Sequence, residues 1–381
     1  MVSVPRLSIL MPTHTRVDVI GIAIESVLSQ TFGDFELLVV GDGCVPGTAD
    51  VVAGFKDKRI RFFDLPKAPY FGYANRNIAL REARGELIGF AADDDILLPD
   101  HFELLSQCLE DGAVIAHSQA LWVSTDGIAA PFLTNLEIPD ELEHFMERYN
   151  TIPASCFLYR ANSLPSLDAW PEDVPTAADW RLWHRIIREN PQSAVIHCRQ
   201  PTLLHFSAKW KNSRNSGMDQ LSAFLDMADN SNWWPSELRV QTAEGQVEQQ
   251  AYAALLRADP QRWIAGIRRA AHDLTVRVAW TDLQFLRPQL KASKDQITAV
   301  SAELESTRSE RASAFLRAGL FENELVLAKE ELKATQADQK ALSDLLDDSL
   351  ADLERLTSEV QRMQASLGWR LHQAVTRFRR R

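Results

Sequence analysis

Three aspartates in succession, Asp93-Asp94-Asp95, are the residues of this chain whose type and spacing speak most directly of chemistry. Adjacent carboxylates repel one another, and three at one turn are most easily held when a hard, oxygen-preferring cation neutralises them; magnesium or manganese would suffice. The same residues also fit a solvated turn ahead of a helix, where acids favour the positive end of the macrodipole. A second station is Asp42, within Gly41-Asp42-Gly43-Cys44-Val45-Pro46-Gly47. That glycine cluster is no dinucleotide fingerprint: its third glycine is one residue late, and Pro46 interrupts the helix whose N-terminus would receive a pyrophosphate.

The elements that must position these acids alternate. Leu7–Met11 is an apolar run stopped by Pro12, and Val17–Gln30 carries helical spacing through Val17, Ile20, Ile24, Val27 and Leu28. Phe35–Val40 and Ile60–Leu65 are further strands, Asn75–Arg84 is a helix closed by Gly85, and Glu86–Ala91 is a strand running into the triplet. Such strand-helix-strand order predicts an α/β fold with a mostly parallel, doubly wound sheet, whose ligands lie beyond the C-terminal ends of the strands. Asp42 and Asp93–Asp95 both fall at such ends.

Composition narrows the class. A hydrophobic fraction of 45% with 24% charged residues is that of an ordinary folded chain, and no apolar run approaches the ~18 residues that cross a bilayer. A net charge of -11 argues against nucleic acid as a general partner. Cys44, Cys108, Cys156 and Cys198 are widely spaced, with no C-x-x-C pair, so neither a zinc knuckle nor a disulfide framework is indicated. The start MVSVPRLSILMPTHTR reads as a strand and not as a secretory leader, so a reducing cytoplasm is the expected setting.

Four motifs, PTHTR, AIESVLSQTFGDFELLVVGDG, NRNIAL and GELIGFAADDDILLPDHF, occur in the order and spacing of family 2 glycosyltransferases of the GT-A fold, which the chain resembles over roughly residues 5–210. The resemblance implies an inverting transfer of a sugar from a nucleotide-diphosphate sugar, a UDP-sugar favoured, to a glycan or lipid-linked acceptor in bacterial surface glycan synthesis. It implies donor contacts from Pro12, Thr13, Asp42, Arg76, Asn77, Asp93 and Asp94, and a Mn2+ or Mg2+ ion on Asp94, Asp95 and His205. Two alignments of the acidic motif are open, and the preferred one puts Asp93 on ribose and Asp94 on metal, with Asp95 a ligand, an outer support or a helix cap. In PEDVPTAADWRLWHRII, Asp179 matches the family's catalytic base, although an aspartate there also caps the helix Trp180–Arg188. Glu172 and Asp173 are weaker candidates for the base. His205 follows a short β-like run, Ala194–His197, and Lys209, Lys211 and Arg214 after it form either a cationic loop over the leaving diphosphate or solvated surface charge. Gly41, Ala92 and Ala178 stand where relatives carry acids. A degenerate transferase-like scaffold acting through its C-terminal coil is therefore the competing class.

Domain boundaries are expected at 1–215 for the transferase domain, 216–290 for a helical extension, 291–367 for a coiled coil and 368–381 for a basic amphipathic tail. In the extension, Glu237–Arg257 and Pro260–Leu286 read as helices, with Trp263, Ile264, Ile267 and Ala271 on one face. From Ile297 to Leu367 one heptad register runs through Val300, Leu304, Leu332, Leu342, Leu346, Leu353, Leu356, Val360 and Met363, among others. A continuous rod of that length spans roughly 100 Å and needs a partner, most simply a second copy of the chain. The tail, with Trp369, Leu371, Val375 and Phe378 among five arginines, suits the interface of an anionic membrane, hence peripheral contact at the inner face of the plasma membrane.

Overall fold

The computed structural model describes residues 4–148, 150–206, 219–230, 232–318, 322–365 and 375. The chain divides into two units, Met1–Leu274 and Thr275–Arg381, so the residues that follow the expected transferase domain, up to Leu274, belong to the first unit.

Within the first unit, strands β1 (Leu7–Thr13), β2 (Phe35–Asp42), β3 (Ile60–Leu65) and β4 (Leu87–Phe90) alternate with helices α1 (Ile20–Leu28), α2 (Thr48–Gly54) and α3 (Tyr73–Arg81). These four strands are all parallel, in the order β3-β2-β1-β4. Both faces are covered, so β1, β2 and β4 are almost continuously buried and apolar. Among the few polar residues of these strands, Glu36 is 1% exposed and bonded to Ser8, Arg61 and Arg84.

The expected mostly parallel sheet is not what the remainder builds. After β5 (Ile96–Leu97) and α4 (His101–Cys108) come β6 (Ile115–Val123), β7 (Ala129–Phe132), α5 (Pro139–Glu147), β8 (Phe157–Arg160), α6 (Ala178–Glu189) and β9 (Val195–His205). The nine described strands form one mixed sheet: β8 is antiparallel to β4 and β6, β7 to β6, and β5 to β9, while β6 and β9 are parallel. The reason is connection length. Between β6 and β7 the chain has only the tight turn around Ser124 and Gly127, and a turn that short joins antiparallel strands, whereas a parallel pair needs a crossover.

Helices α7 (Asp219–Asn230), α8 (Glu248–Ala258) and the start of α9 (Pro260–Ala318) complete this unit. The helix expected from Glu237 begins at Glu248, because Val240 is drawn into a bond from its N–H to the Gly127 carbonyl and Gly245 turns at φ 77°. At Gly127, φ is 74° and a Cβ would stand 1.9 Å from the Val240 carbonyl, so only glycine fits this crossing. Tyr252 on α8 donates to the same Gly127 carbonyl at 2.8 Å, Arg257 pairs with Glu25 on α1, and Arg268 makes a bidentate pair with Asp100 at 2.7 and 2.8 Å. Asp259 accepts the Arg262 amide and Pro260 occupies the first turn of α9, a helix start written in the sequence.

The second unit holds the rest of α9 and α10 (Glu322–Ala365). Described heptad positions are its less exposed ones, including Ile297, Val300, Leu304, Thr307 and Arg311 on α9 and Leu332, Thr335, Gln339, Leu342, Leu346, Leu353, Leu356 and Val360 on α10. The continuous rod is corrected, however. Arg311 Nη1 donates to Gln339 Oε1 at 3.4 Å, and a straight helix would hold residues 28 apart at roughly 40 Å. The two helices fold back far enough for these two heptad positions to meet within the chain. The tail residues Trp369, Leu371 and Phe378, and Lys209, Lys211 and Arg214, lie outside the described residues. Among the described residues no helix is long and apolar enough to cross a membrane.

Candidate active site

The acidic triplet sits where β4 leaves the sheet. Ala91 still bonds to Leu10, and the chain then turns, the Asp95 amide donating to the Ala92 carbonyl at 3.2 Å. β5 pairs antiparallel with β9 in the register Ile96↔Leu204, which sets Asp95 opposite His205. His205 Nδ1 is 2.8 Å from Asp95 Oδ1, and the Ser155 hydroxyl, from the 3-10 turn Ala154–Cys156, donates to Asp95 Oδ2 at 2.6 Å. Both oxygens of Asp95, expected as a direct metal ligand, are thus engaged within the protein, and the residue is 1% exposed. Burial works to lower the His205 imidazole, but the charges of Asp95, Asp94 and Asp179 outweigh it and raise its pKa. Trp122 of β6 packs edge-on against the ring at 4.5 Å.

Asp94 faces Arg16, whose Nη1 lies 2.6 Å from Oδ2. Burial, then the charge of Asp95, pushes its carboxyl up to about 7 against the opposing pull of Arg16. Burial likewise raises Asp93, opposed by the Thr13 hydroxyl and Arg16. That hydroxyl ends β1 and makes no hydrogen bond of normal geometry. Neighbouring Pro12 pairs in register with Val40 of β2. From α8, Gln249 reaches the Asp94 carbonyl, Nε2 to O at 3.5 Å, while its buried Oε1 has no hydrogen-bond partner.

Asp42 ends β2 under the loop that leads into α3. Lys67 Nζ, the Ala68 amide and Asn75 Nδ2 donate to it at 2.7, 2.7 and 2.8 Å. Gly72 passes so close that a Cβ there would stand 2.4 Å from the Asp42 carboxyl carbon, and its φ of 70° is itself a glycine conformation.

Four residues beyond Gly72, Arg76 lays its guanidinium over the Trp170 ring at 4.3 Å and the Tyr73 ring at 5.1 Å. Burial lowers its pKa, while the charges of Asp179, Tyr73, Asp42 and Asp93 oppose that. Asn77 is placed differently from the expected donor contact. It is 2% exposed and exchanges bonds with the Trp170 backbone, 2.9 Å each way, besides donating to Glu172 at 2.8 Å. Its amide holds the Trp170 loop on which Arg76 stacks.

Asp179 lies in the first turn of α6, after Ala177 at φ 57°. Burial raises its carboxyl, against the Trp180 amide and Arg76, and Asn150 Nδ2 stands 3.4 Å from Oδ2. The capping residue of α6 is Ala177, not Asp179. Glu172 is committed to Asn77 and Asp173 is exposed.

Residues 8–166 match the profile of the family described as Glycosyl transferase family 2. Over that span the chain is similar to family 2 glycosyltransferases. Its α/β architecture with a mixed sheet is GT-A-like. An uncharacterised glycosyltransferase of Rickettsia felis is 27% identical over 192 residues, 49% of this chain and 31% of that protein. The E. coli UDP-Glc:alpha-D-GlcNAc-diphosphoundecaprenol beta-1,3-glucosyltransferase WfgD is 28% identical over 193 residues, 50% of this chain and 72% of WfgD. A crystal structure of S. aureus TarS 1-349 in complex with UDP-GlcNAc is 18% identical, covers 53% of this chain and 58% of its own, and superposes with a TM-score of 0.45. The chain spans less than a third of the length of the first curated relatives it matches.

Asp179, His205 and Gln249 come from beyond the glycosyltransferase match and meet the site through the tertiary structure. Sequence reading missed Arg16, Lys67, Asn75, Ser155 and Gln249. Arg16 and Asn75 had a signal, since the first closes the PTHTR motif just before α1 and the second opens NRNIAL; the others are polar residues with no local pattern. The donor set of this site fits a hard cation: the carboxyls of Asp93 and Asp94, raised first by burial and then by neighbouring carboxylates, with the Thr13 hydroxyl and the unpartnered Gln249 side-chain oxygen beside them. Among the described residues no group of three or more His, Cys, Asp or Glu stands close enough to hold a metal by itself.

Proposed function

We infer that the protein is an inverting glycosyltransferase, dependent on Mn2+ or Mg2+, that moves a sugar from a nucleotide-diphosphate donor, UDP-sugar favoured, to a glycan or lipid-linked hydroxyl in bacterial surface glycan synthesis. The observation that supports this reading is the acidic triplet at the end of β4, braced by His205 and Arg16, with the charges of Asp179, Asp42 and Asp93 all acting on the stacked Arg76. A sugar positioned between Asp179 and the triplet has a buried carboxylate on one side and a cation-binding turn on the other.

In transfer, the acceptor oxygen attacks the anomeric carbon as its bond to the diphosphate oxygen breaks, and the hydroxyl proton passes to the Asp179 carboxylate. Burial makes that carboxylate a better base than an exposed aspartate. Asp94 and His205 are the residues that would hold the metal, with Asp95 fixing the imidazole as a supporting carboxylate does at many metal sites. Such an ion, taking its other ligands from the donor's phosphates, would neutralise charge on the departing diphosphate. Arg76 supplies a fixed positive charge, and the Asn77-held Trp170 loop keeps it in place.

The donor preference and the lipid-linked acceptor lean on the name of WfgD, which uses UDP-glucose and an undecaprenol-linked sugar. Dimerisation and peripheral attachment at the inner face of the plasma membrane belong to the same reading. The hairpin leaves most stripe positions only half-buried, which a second hairpin would cover. Purified protein with Mn2+ and a panel of UDP-, GDP- and dTDP-sugars, offered a polyprenyl-diphosphate-linked saccharide, should yield one product of inverted anomeric configuration by NMR. Retained configuration, or no turnover with any donor, would refute the assignment.

A further inference from the structure

Arg16 lies in the turn between β1 and α1, where its carbonyl accepts the Val19 and Ile20 amides at 3.1 and 2.9 Å. The backbone is fixed by that turn, so a change of partner involves the side chain alone. Arg16 Nη1 stands 2.6 Å from Asp94 Oδ2, and the two side chains differ in access: 38% of the arginine is exposed against 11% of the aspartate. A cation on the open side of a buried anion can leave without unpacking the protein. Asp93 also lies within reach of its charge.

A divalent ion on Asp94 competes with the guanidinium for the charge of one carboxylate, and the two cations repel at that distance. Arginine has an alternative the aspartate lacks, because its planar fork matches phosphate oxygens as well as carboxylate. Beside the triplet, the buried Oε1 of Gln249 has no hydrogen-bond partner, while its Nε2 meets the Asp94 carbonyl. Gln249 is 3% exposed, so its unmet oxygen marks where an incoming polar ligand is received.

We propose that Arg16 is the resident counter-ion of the triplet: it holds Asp94 while no divalent cation is bound, yields that oxygen when the cation arrives with a nucleoside diphosphate, and moves its charge onto the diphosphate. The proposal rests on the metal-dependent reading of the same site. Its consequence is that Arg16 opposes the bare metal and favours the metal–nucleotide complex.

The test is equilibrium binding by the full chain, with the free Mn2+ signal in electron paramagnetic resonance for the metal alone and calorimetry for UDP in saturating Mn2+. Arg16→Gln should bind Mn2+ alone about tenfold more tightly than wild type, and UDP with Mn2+ about tenfold more weakly, one charge-assisted contact in each direction. Arg16→Lys, which keeps the charge, should stay closer to wild type in both. Mn2+ affinity unchanged in Arg16→Gln overturns the proposal while leaving the metal reading intact. Wild-type UDP affinity that is the same in Mn2+ and in EDTA overturns the metal reading, and the proposal with it.

Discussion

His205 Nδ1 stands 2.8 Å from Asp95 Oδ1, joining the last residue of β9 to a turn 110 residues earlier in the chain. The bond fixes which imidazole nitrogen faces inward and leaves Nε2 as the one available to a metal or diphosphate. Asp95 is consequently the residue through which the fold aims the histidine.

Asp95→Asn should therefore weaken Mn2+-supported UDP binding by roughly 10- to 100-fold, the usual effect of losing an outer carboxylate partner. Calorimetry measures this, and circular dichroism should show an unaltered fold. Wild-type binding in the variant would remove Asp95 from the ion's surroundings.

Asp179→Asn tests the other wall. Turnover should drop by roughly 10²- to 10⁴-fold, the contribution typical of a positioned base, while donor binding stays near that of wild type. A variant that turns over normally takes Asp179 out of the mechanism.

Glu36 predicts an acid-sensitive core. Burial pushes its carboxyl up, but hydrogen bonds from the Arg84 side chain and backbone, Ser8 and Arg61 outweigh this and hold its pKa below the ordinary value. The folded-state value is depressed, so the stabilisation is complete above the unfolded pKa of ~4.3 and is lost as pH falls through the folded value. Glu36→Gln should cost about 1–3 kcal/mol at pH 7, from weakened bonds to Arg84 and Arg61, and progressively less below pH ~4. Urea melts across that range check it; a deficit constant with pH would mean that the charge on Glu36 contributes nothing.

The hairpin is tested by pairing cysteines at Arg311 and Gln339, which meet at 3.4 Å. Arg311→Cys with Gln339→Cys, treated with a flexible bis-maleimide, should give an intramolecular cross-link that migrates as a compact monomer on a denaturing gel. Cross-linked dimers alone would restore the straight, intermolecular coil.

How much of this was legible in the sequence depends on the distance over which each feature is decided. The strands β1 to β4, the start of α9 and the heptad stripe are local patterns of apolar spacing, proline and caps, and the sequence specifies them within a few residues. The placement of Asp42 and the triplet at strand ends follows from the same patterns, because an apolar strand must stop where charge begins.

What the tertiary structure alone decided are the partners of those residues. Register between β5 and β9 brought His205 to Asp95; the α3 loop delivered Lys67 and Asn75 to Asp42; α8 sent Gln249 to Asp94. The fold-back of α10 on α9 brought two heptad positions, Arg311 and Gln339, together inside the chain. Each of these is a contact between residues far apart in sequence, fixed by strand order and helix docking. Side-chain type and spacing state that an acid needs a counter-ion or a stripe needs a cover, and only the folded chain selects which residue supplies it.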